Sequence, residues 1–204
     1  MSSKITIIRH APTEYNSQNI FIGTLDIPVV SFNDKIVKEL QRLLLCEKYT
    51  AIYSSPLQRS IQTAKKIFGD EYNIILDKRL IERDLGIWQG HNKEDIKKNN
   101  LDAFHGDNMD FYYTPEKGEH FESVILRAVS FIYECCNSPV NILTFTHNGV
   151  FRVLKSLLTG IPLSSAFSIK EPFLEPQSFI VEDRLFTTIL NNPFYTVEKQ
   201  LIKK

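Results

Sequence analysis

Three short β-branched runs, each paired in sequence with an amphipathic segment, constrain this chain more than any other feature. Lys4 to Ile8 (KITII), Ala51 to Ser54 (AIYS) and Val140 to Thr146 (VNILTFT) have strand character. After the first comes Asp34 to Cys46, with Ile36, Val37, Leu40, Leu43 and Leu44 expected on one helical stripe. Leu57 to Phe68 follows the second, just after Pro56, a residue suited to a first helical turn. Glu119 to Cys136 reads as a longer helix before the third strand, and Val150 to Leu158 as a short one after it. Strands alternating with helices need crossover connections. The expectation is therefore an α/β fold, a three-layer α/β/α sandwich with a mostly parallel sheet covered on both faces. Ser178 to Glu182 and Leu185 to Leu190, around Asp183-Arg184, read as a hairpin that adds an antiparallel edge strand.

No repeat, low-complexity linker or second composition divides the 204 residues, which predicts one catalytic domain over 1–204. A polar insertion dotted with aromatics, at about 91–118, is expected near the pocket mouth, with a short helix at its start. Lys+Arg and Asp+Glu balance at 24 each, without the basic excess that grips nucleic acid or an anionic membrane. No apolar run approaches the roughly 20 residues of a membrane span, and the N-terminus lacks a signal-like core, so a cytoplasmic protein is expected. Cys46 and the adjacent Cys135-Cys136 form neither a disulfide framework nor a CxxC pattern and read as free thiols.

In an open parallel sheet, functional groups collect beyond the carboxyl ends of the strands. Here the first strand ends in Arg9-His10, the second in SSPLQR with Arg59, and the third in Thr146-His147-Asn148-Gly149. Glu82 joins them from LIERDLGIWQG, ahead of a Gly-x-Trp-x-Gly turn. Each residue alone has a plain structural reading: a hydrogen-bonded rim histidine, a salt-bridged arginine, a surface carboxylate, a core Trp88. The residues by themselves leave both readings open. If they converge, two guanidiniums suit the oxygens of a phosphoryl group, one imidazole can attack phosphorus, the other can donate to a non-bridging oxygen, and a carboxylic acid can protonate the leaving oxygen. No motif of metal-ligand spacing is present, so neither a metal nor another cofactor is expected.

Four segments carry a resemblance. RHAPTEYN resembles RHGxTxxN, SSPLQRSIQTA resembles SSxLxRxxQTA, LIERDLGIWQG resembles LxExxxGxWEG, and THNGVFRVL resembles SHGGVxRxL, in the order of the histidine phosphatase superfamily, phosphoglycerate-mutase-like branch. The resemblance implies that His10 is a nucleophile that becomes phosphohistidine, with Arg9, Arg59 and His147 forming the phosphate pocket. It also implies that Asn16 adds a hydrogen bond to phosphate, that Gly23 or Thr24 lends a backbone donor, and that Glu82 is the general acid and then the general base. The implied activity is that of a metal-independent phosphomonoesterase acting on a small phosphorylated metabolite. A cofactor-dependent phosphoglycerate mutase and a non-catalytic phospholigand-binding module are the alternatives. The modest 91–117 region favours the phosphatase over the mutase. Homodimerisation is left open.

The sequence departs from the pattern at several points. Ala11 stands for a usual Gly, tolerable at negative φ; Asn148 stands where Gly is usual and is expected to accept left-handed geometry. Gln89 replaces an acidic residue at a position expected to lie away from the chemistry. Gly118-Glu119 and Arg127 read as structural, through helix capping and ion pairing. Phe104, Phe111, Tyr112 and Tyr113 either line the mouth or pack the insertion onto the body.

Overall fold

The computed structural model describes residues 3–135 and 140–181. In chain order the elements are β1 (Ser3–Arg9), α1 (Glu14–Ser17), α2 (Asp34–Leu44), β2 (Ala51–Ser54), α3 (Gln58–Phe68), β3 (Ile74–Leu76) and α4 (Lys93–Asn99). There follow β4 (Phe104–His105), β5 (Asn108–Met109), α5 (Phe121–Cys135), β6 (Asn141–Thr146), α6 (Asn148–Thr159), α7 (Leu163–Ser168) and β7 (Gln177–Val181). The main sheet runs β3-β2-β6-β1-β7, with the first four strands parallel and β7 antiparallel to β1. This is the expected α/β arrangement with an antiparallel edge. The expected return strand at Leu185 to Leu190 lies outside the described residues.

Alternation along β1 explains the layers. Ile5 and Ile7 enter one apolar cluster with Phe121, Phe131 and Ile132 of α5 and Phe151 and Leu154 of α6. Ile8 enters another with Leu40 and Leu44 of α2 and Ile67 and Phe68 of α3. Adjacent strand residues point to opposite faces, so a near-continuous apolar strand requires helices on both sides.

Two differences from expectation have simple causes, and one open alternative is decided. On α2 the buried face is Val37, Leu40 and Leu44, whereas Ile36 and Leu43 are 40% and 56% exposed. Val37, Leu40 and Leu44 span about 60° of the helix circumference, and Ile36 and Leu43 both lie beyond the same edge of that arc, toward solvent. The strand β3 and the helix α7 were not anticipated: Ile74–Leu76 is three residues long, and Leu163–Ser168 is Ser-rich with little periodicity. The aromatic residues of the insertion pack it onto the body, for Trp88 stacks between Phe104 and Tyr113, and Phe111 lies 5.1 Å from Phe121, centroid to centroid.

Candidate active site

Parallel register brings the strand ends together. Arg9 of β1 pairs with Thr146 of β6, and the His10 amide continues the ladder onto Thr146 O at 3.0 Å, so His10 and His147 emerge side by side. Their ring centroids are 5.1 Å apart. On the other flank of β6 the Ser55 amide donates to Phe145 O at 3.0 Å, which sets Ser55 beside His147. Arg59 follows in the first turn of α3 and is 1% exposed.

Hydrogen bonds fix the two imidazoles in different tautomers. His10 Nδ1 lies 2.6 Å from Ala11 O, and a carbonyl only accepts, so Nδ1 carries the proton and Nε2 holds the free lone pair. His147 Nδ1 instead accepts from Arg59 Nε at 3.0 Å. A guanidinium cannot accept, so the His147 proton sits on Nε2, which donates to Ser55 Oγ at 2.7 Å. Burial, reinforced by the Arg59 charge, holds both rings well below the ordinary histidine value. The neutral pair thus offers one nucleophilic nitrogen and one N–H donor.

Arg59 is anchored through its fork, with Nη1 on Leu25 O and Nη2 on Gly23 O, both at 2.7 Å. Three of its five N–H groups are occupied and two remain for a ligand. Arg9 donates from Nη1 to Glu171 O at 2.6 Å, and its guanidinium stacks 3.7 Å from the centre of the Phe173 ring. Its buried Nε–H has no protein partner among the described residues, a donor that an oxyanion would satisfy. Burial lowers both arginines to about 10, still cationic at neutral pH. The segment carrying Phe173 is also locked by backbone geometry, because Leu174 adopts φ +61° while its amide donates to Arg9 O at 3.1 Å.

The Glu82 carboxylate meets the first turn of α6. Its Oε2 accepts from Gly149 N and its Oε1 from Arg83 N, each at 3.0 Å. A Cβ on Gly149 would lie 2.6 Å from Oε1, so this close approach requires glycine. Asn148 opens the same helix and is absent from the positive-φ residues, so the left-handed turn expected there does not form. Ala11 likewise has negative φ, as its substitution for glycine requires, and its amide donates to Thr63 Oγ1 at 2.9 Å.

The remaining sequence candidates take distinct places. Asn16 Oδ1 accepts from the amide and hydroxyl of Thr13, which leaves the side-chain NH₂ as its donor. Gly23 contributes its carbonyl to Arg59, and the Thr24 amide donates to Gln89 Oε1, so that donor is already engaged. Gln89 is consequently closer to the chemistry than expected, since it braces the Gly23–Leu25 turn that anchors Arg59. Ser55, Thr63 and Phe173 were not anticipated; Ser55 and Thr63 lie inside the recognised SSPLQRSIQTA segment, whereas nothing in the sequence around Phe173 marks it. Glu119 pairs with Arg127 at 3.0 Å, the structural ion pair expected there. Among the described residues, no three His, Cys, Asp or Glu side chains gather to hold a metal ion.

Buried guanidiniums around a neutral imidazole suit an incoming phosphoryl group, which is the chemistry of phosphatases that work through histidine. Residues 5–174 match the histidine phosphatase superfamily (branch 1), and the chain belongs to it. It is 30% identical over 173 residues to phosphoserine phosphatase 1 of Hydrogenobacter thermophilus, covering 81% of this chain and 80% of that one. It is 34% identical over 134 residues to fructose-2,6-bisphosphatase TIGAR B of Danio rerio, covering 63% of this chain and 51% of the relative. Among solved structures it resembles YhfR of Bacillus stearothermophilus, with a TM-score of 0.77 at 25% identity over 86% of this chain and 90% of that one. The chain is a phosphoric monoester hydrolase of the histidine phosphatase type.

Proposed function

We propose that the protein hydrolyses a small phosphomonoester through a phosphohistidine at His10. The observation that carries this reading is the opposed pair of tautomers, with Nε2 of His10 unprotonated and Nε2 of His147 protonated beside it. His10 Nε2 attacks phosphorus, forming the P–N bond as the ester P–O bond breaks. Arg9, Arg59 and the His147 N–H meet the non-bridging oxygens, where charge concentrates in the transition state, and the Asn16 NH₂ adds a further donor. Glu82 gives its proton to the leaving oxygen and then takes one from the water that cleaves the P–N bond. Inorganic phosphate and free His10 result, with no group consumed.

Balanced surface charge and unbridged Cys46 and Cys135 support a cytoplasmic enzyme whose partner is its small-molecule substrate. No described helix is long and apolar enough to cross a membrane.

The test is hydrolysis of an aryl phosphate in excess chelator, with His10→Ala beside the wild type, followed by quenching in alkaline detergent after a brief reaction with substrate labelled in its phosphoryl group. Expected are turnover that survives chelation, its loss in His10→Ala, and an acid-labile, base-stable label on the wild-type chain alone. Turnover retained by His10→Ala would overturn the mechanism.

A further inference from the structure

A buried carboxylate to which the reaction assigns no step stands behind Arg9. Glu171 is fully buried; its Oε1 accepts from Lys155 Nζ at 3.0 Å and its Oε2 from Gln177 Nε2 at 2.8 Å. Lys155 belongs to α6, the helix whose first turn meets Glu82. Gln177 opens β7 and pairs there with Ile7 of β1, two residues before Arg9. The Glu171 side chain thus ties together two elements that carry the site.

Taking a carboxylate out of water is costly, and a buried ion pair rarely adds stability over apolar residues of the same volume. Position gives a better account of this one. Residues 170–176 lie in no helix or strand, so this strap has no ladder of backbone bonds and depends on side chains to hold it. Arg152 of α6 fixes its start, donating from Nε and Nη2 to Ile169 O at 2.9 and 2.6 Å. Pro172 and Pro176 have no amide hydrogen, and the Leu174 amide is engaged by Arg9 O. What the strap holds in turn is the Arg9 guanidinium. Among the described residues, the contacts that orient it are the bond from Nη1 to Glu171 O and the Phe173 ring stacked on its face. One in-plane bond and one stacked ring fix the orientation of a planar group, and both come from the strap. The Phe173 ring also lies 5.7 Å from the His10 ring, edge-on. Burial weakens the hold of Arg9 on its proton, and the charges of Glu82 and Glu171 oppose that loss.

We propose that Glu171 is a positioning residue for Arg9: its carboxylate, held between Lys155 and Gln177, sets the 169–174 strap so that the Glu171 carbonyl and the Phe173 ring aim the guanidinium at the phosphoryl oxygens. This rests on Arg9 meeting the phosphoryl group in the proposed reaction. Glu171 itself touches neither substrate nor His10; it acts through the backbone of its own residue.

A double-mutant cycle on the full chain tests it, read as kcat/KM for a nitrophenyl phosphate and as calorimetric affinity for orthovanadate. Glu171→Gln, which keeps the shape and removes the charge, is expected to lower both about tenfold, with the kinetic loss chiefly in kcat. In an Arg9→Met background the same change should cost less than about twofold, because the group it positions is gone. Lys155→Met/Glu171→Gln leaves no unpaired ion in the interior and should reproduce both results while still melting cooperatively. Recovery of wild-type values in that variant would trace the loss to a stranded Lys155 ammonium and overturn the proposal, as would additive losses in the cycle or a Glu171→Gln enzyme within about twofold of the wild type. Vanadate binding needs no turnover, so a failure of hydrolysis would count against the phosphohistidine mechanism and leave the role of Glu171 decided by affinity.

Discussion

Arg59 Nε donates to His147 Nδ1 at 3.0 Å, and this one contact decides which nitrogen of His147 faces the ligand as a donor. Lysine has no planar fork with which to hold His147, Gly23 O and Leu25 O at once. Arg59→Lys should therefore lower kcat/KM by about 10²–10³, mostly in kcat, because both a guanidinium and a correctly protonated imidazole are lost from the transition state. Ser55→Ala, which removes the resting acceptor of the His147 N–H and a long bond from the Leu57 amide, should cost far less. Steady-state kinetics on one aryl phosphate compares them, and equal losses would show that the tautomer is set elsewhere.

The Gly149–Glu82 contact separates leaving-group protonation from phosphoryl transfer. Gly149→Ala would press a methyl group against Oε1, at 2.6 Å before relaxation, and displace the carboxylate. An alkyl phosphate needs its leaving oxygen protonated, whereas a nitrophenyl phosphate scarcely does. Gly149→Ala and Glu82→Gln should thus reduce alkyl phosphate hydrolysis about tenfold or more beyond their effect on the nitrophenyl ester. Uniform losses across leaving groups would remove Glu82 from the role of acid.

Both histidines are held well below 6.5, mainly by burial and then by Arg59, so neither native ring takes a proton where an unfolded one does. Above pH 6.5 the rings are neutral in both states and contribute nothing to the pH dependence of stability. As pH falls below 6.5 the unfolded chain binds protons that the native rings refuse, and stability declines by about 1.4 kcal/mol per pH unit for each ring. Denaturant unfolding at about pH 7.5 and about pH 5.5 should show this decline, reduced in His10→Asn/His147→Asn. The acid limb of kcat/KM should also lie below the ordinary histidine range, since His10 stays a free nucleophile there.

The sequence made the sheet and its rim legible because both depend on local patterns. β-branched runs mark parallel strands wherever they are buried on two faces, Arg9, His10 and His147 stand at strand ends, and Arg59 opens the helix after β2. Tertiary relationships were less visible. Gln89 looked remote, yet its amide oxygen braces Thr24 and through it the anchor of Arg59. Phe173 stacks on Arg9 from a residue 164 positions along the chain, a pairing without local periodicity to reveal it.

Arg83 ties the insertion to the body, and its loss should loosen that region before it affects chemistry. Its guanidinium is buried and donates to Glu119 O at 2.9 Å and to Phe111 O and Tyr113 O at 2.7 Å each. Removing it leaves three carbonyls without their charged donor, each such bond contributing about 1.5–3 kcal/mol in typical cases and not additively. Arg83→Ala should destabilise the protein by about 3–5 kcal/mol, with Arg83→Lys recovering part of that. Limited proteolysis under native conditions should locate the earliest new cleavages between residues 104 and 118, because that segment would then be held chiefly by the aromatic contacts of Phe104 and Tyr113 with Trp88 and of Phe111 with Phe121. First cleavage elsewhere, or a loss of aryl phosphatase activity that precedes any loss of protection there, would mean that Arg83 acts mainly through the adjacent Glu82.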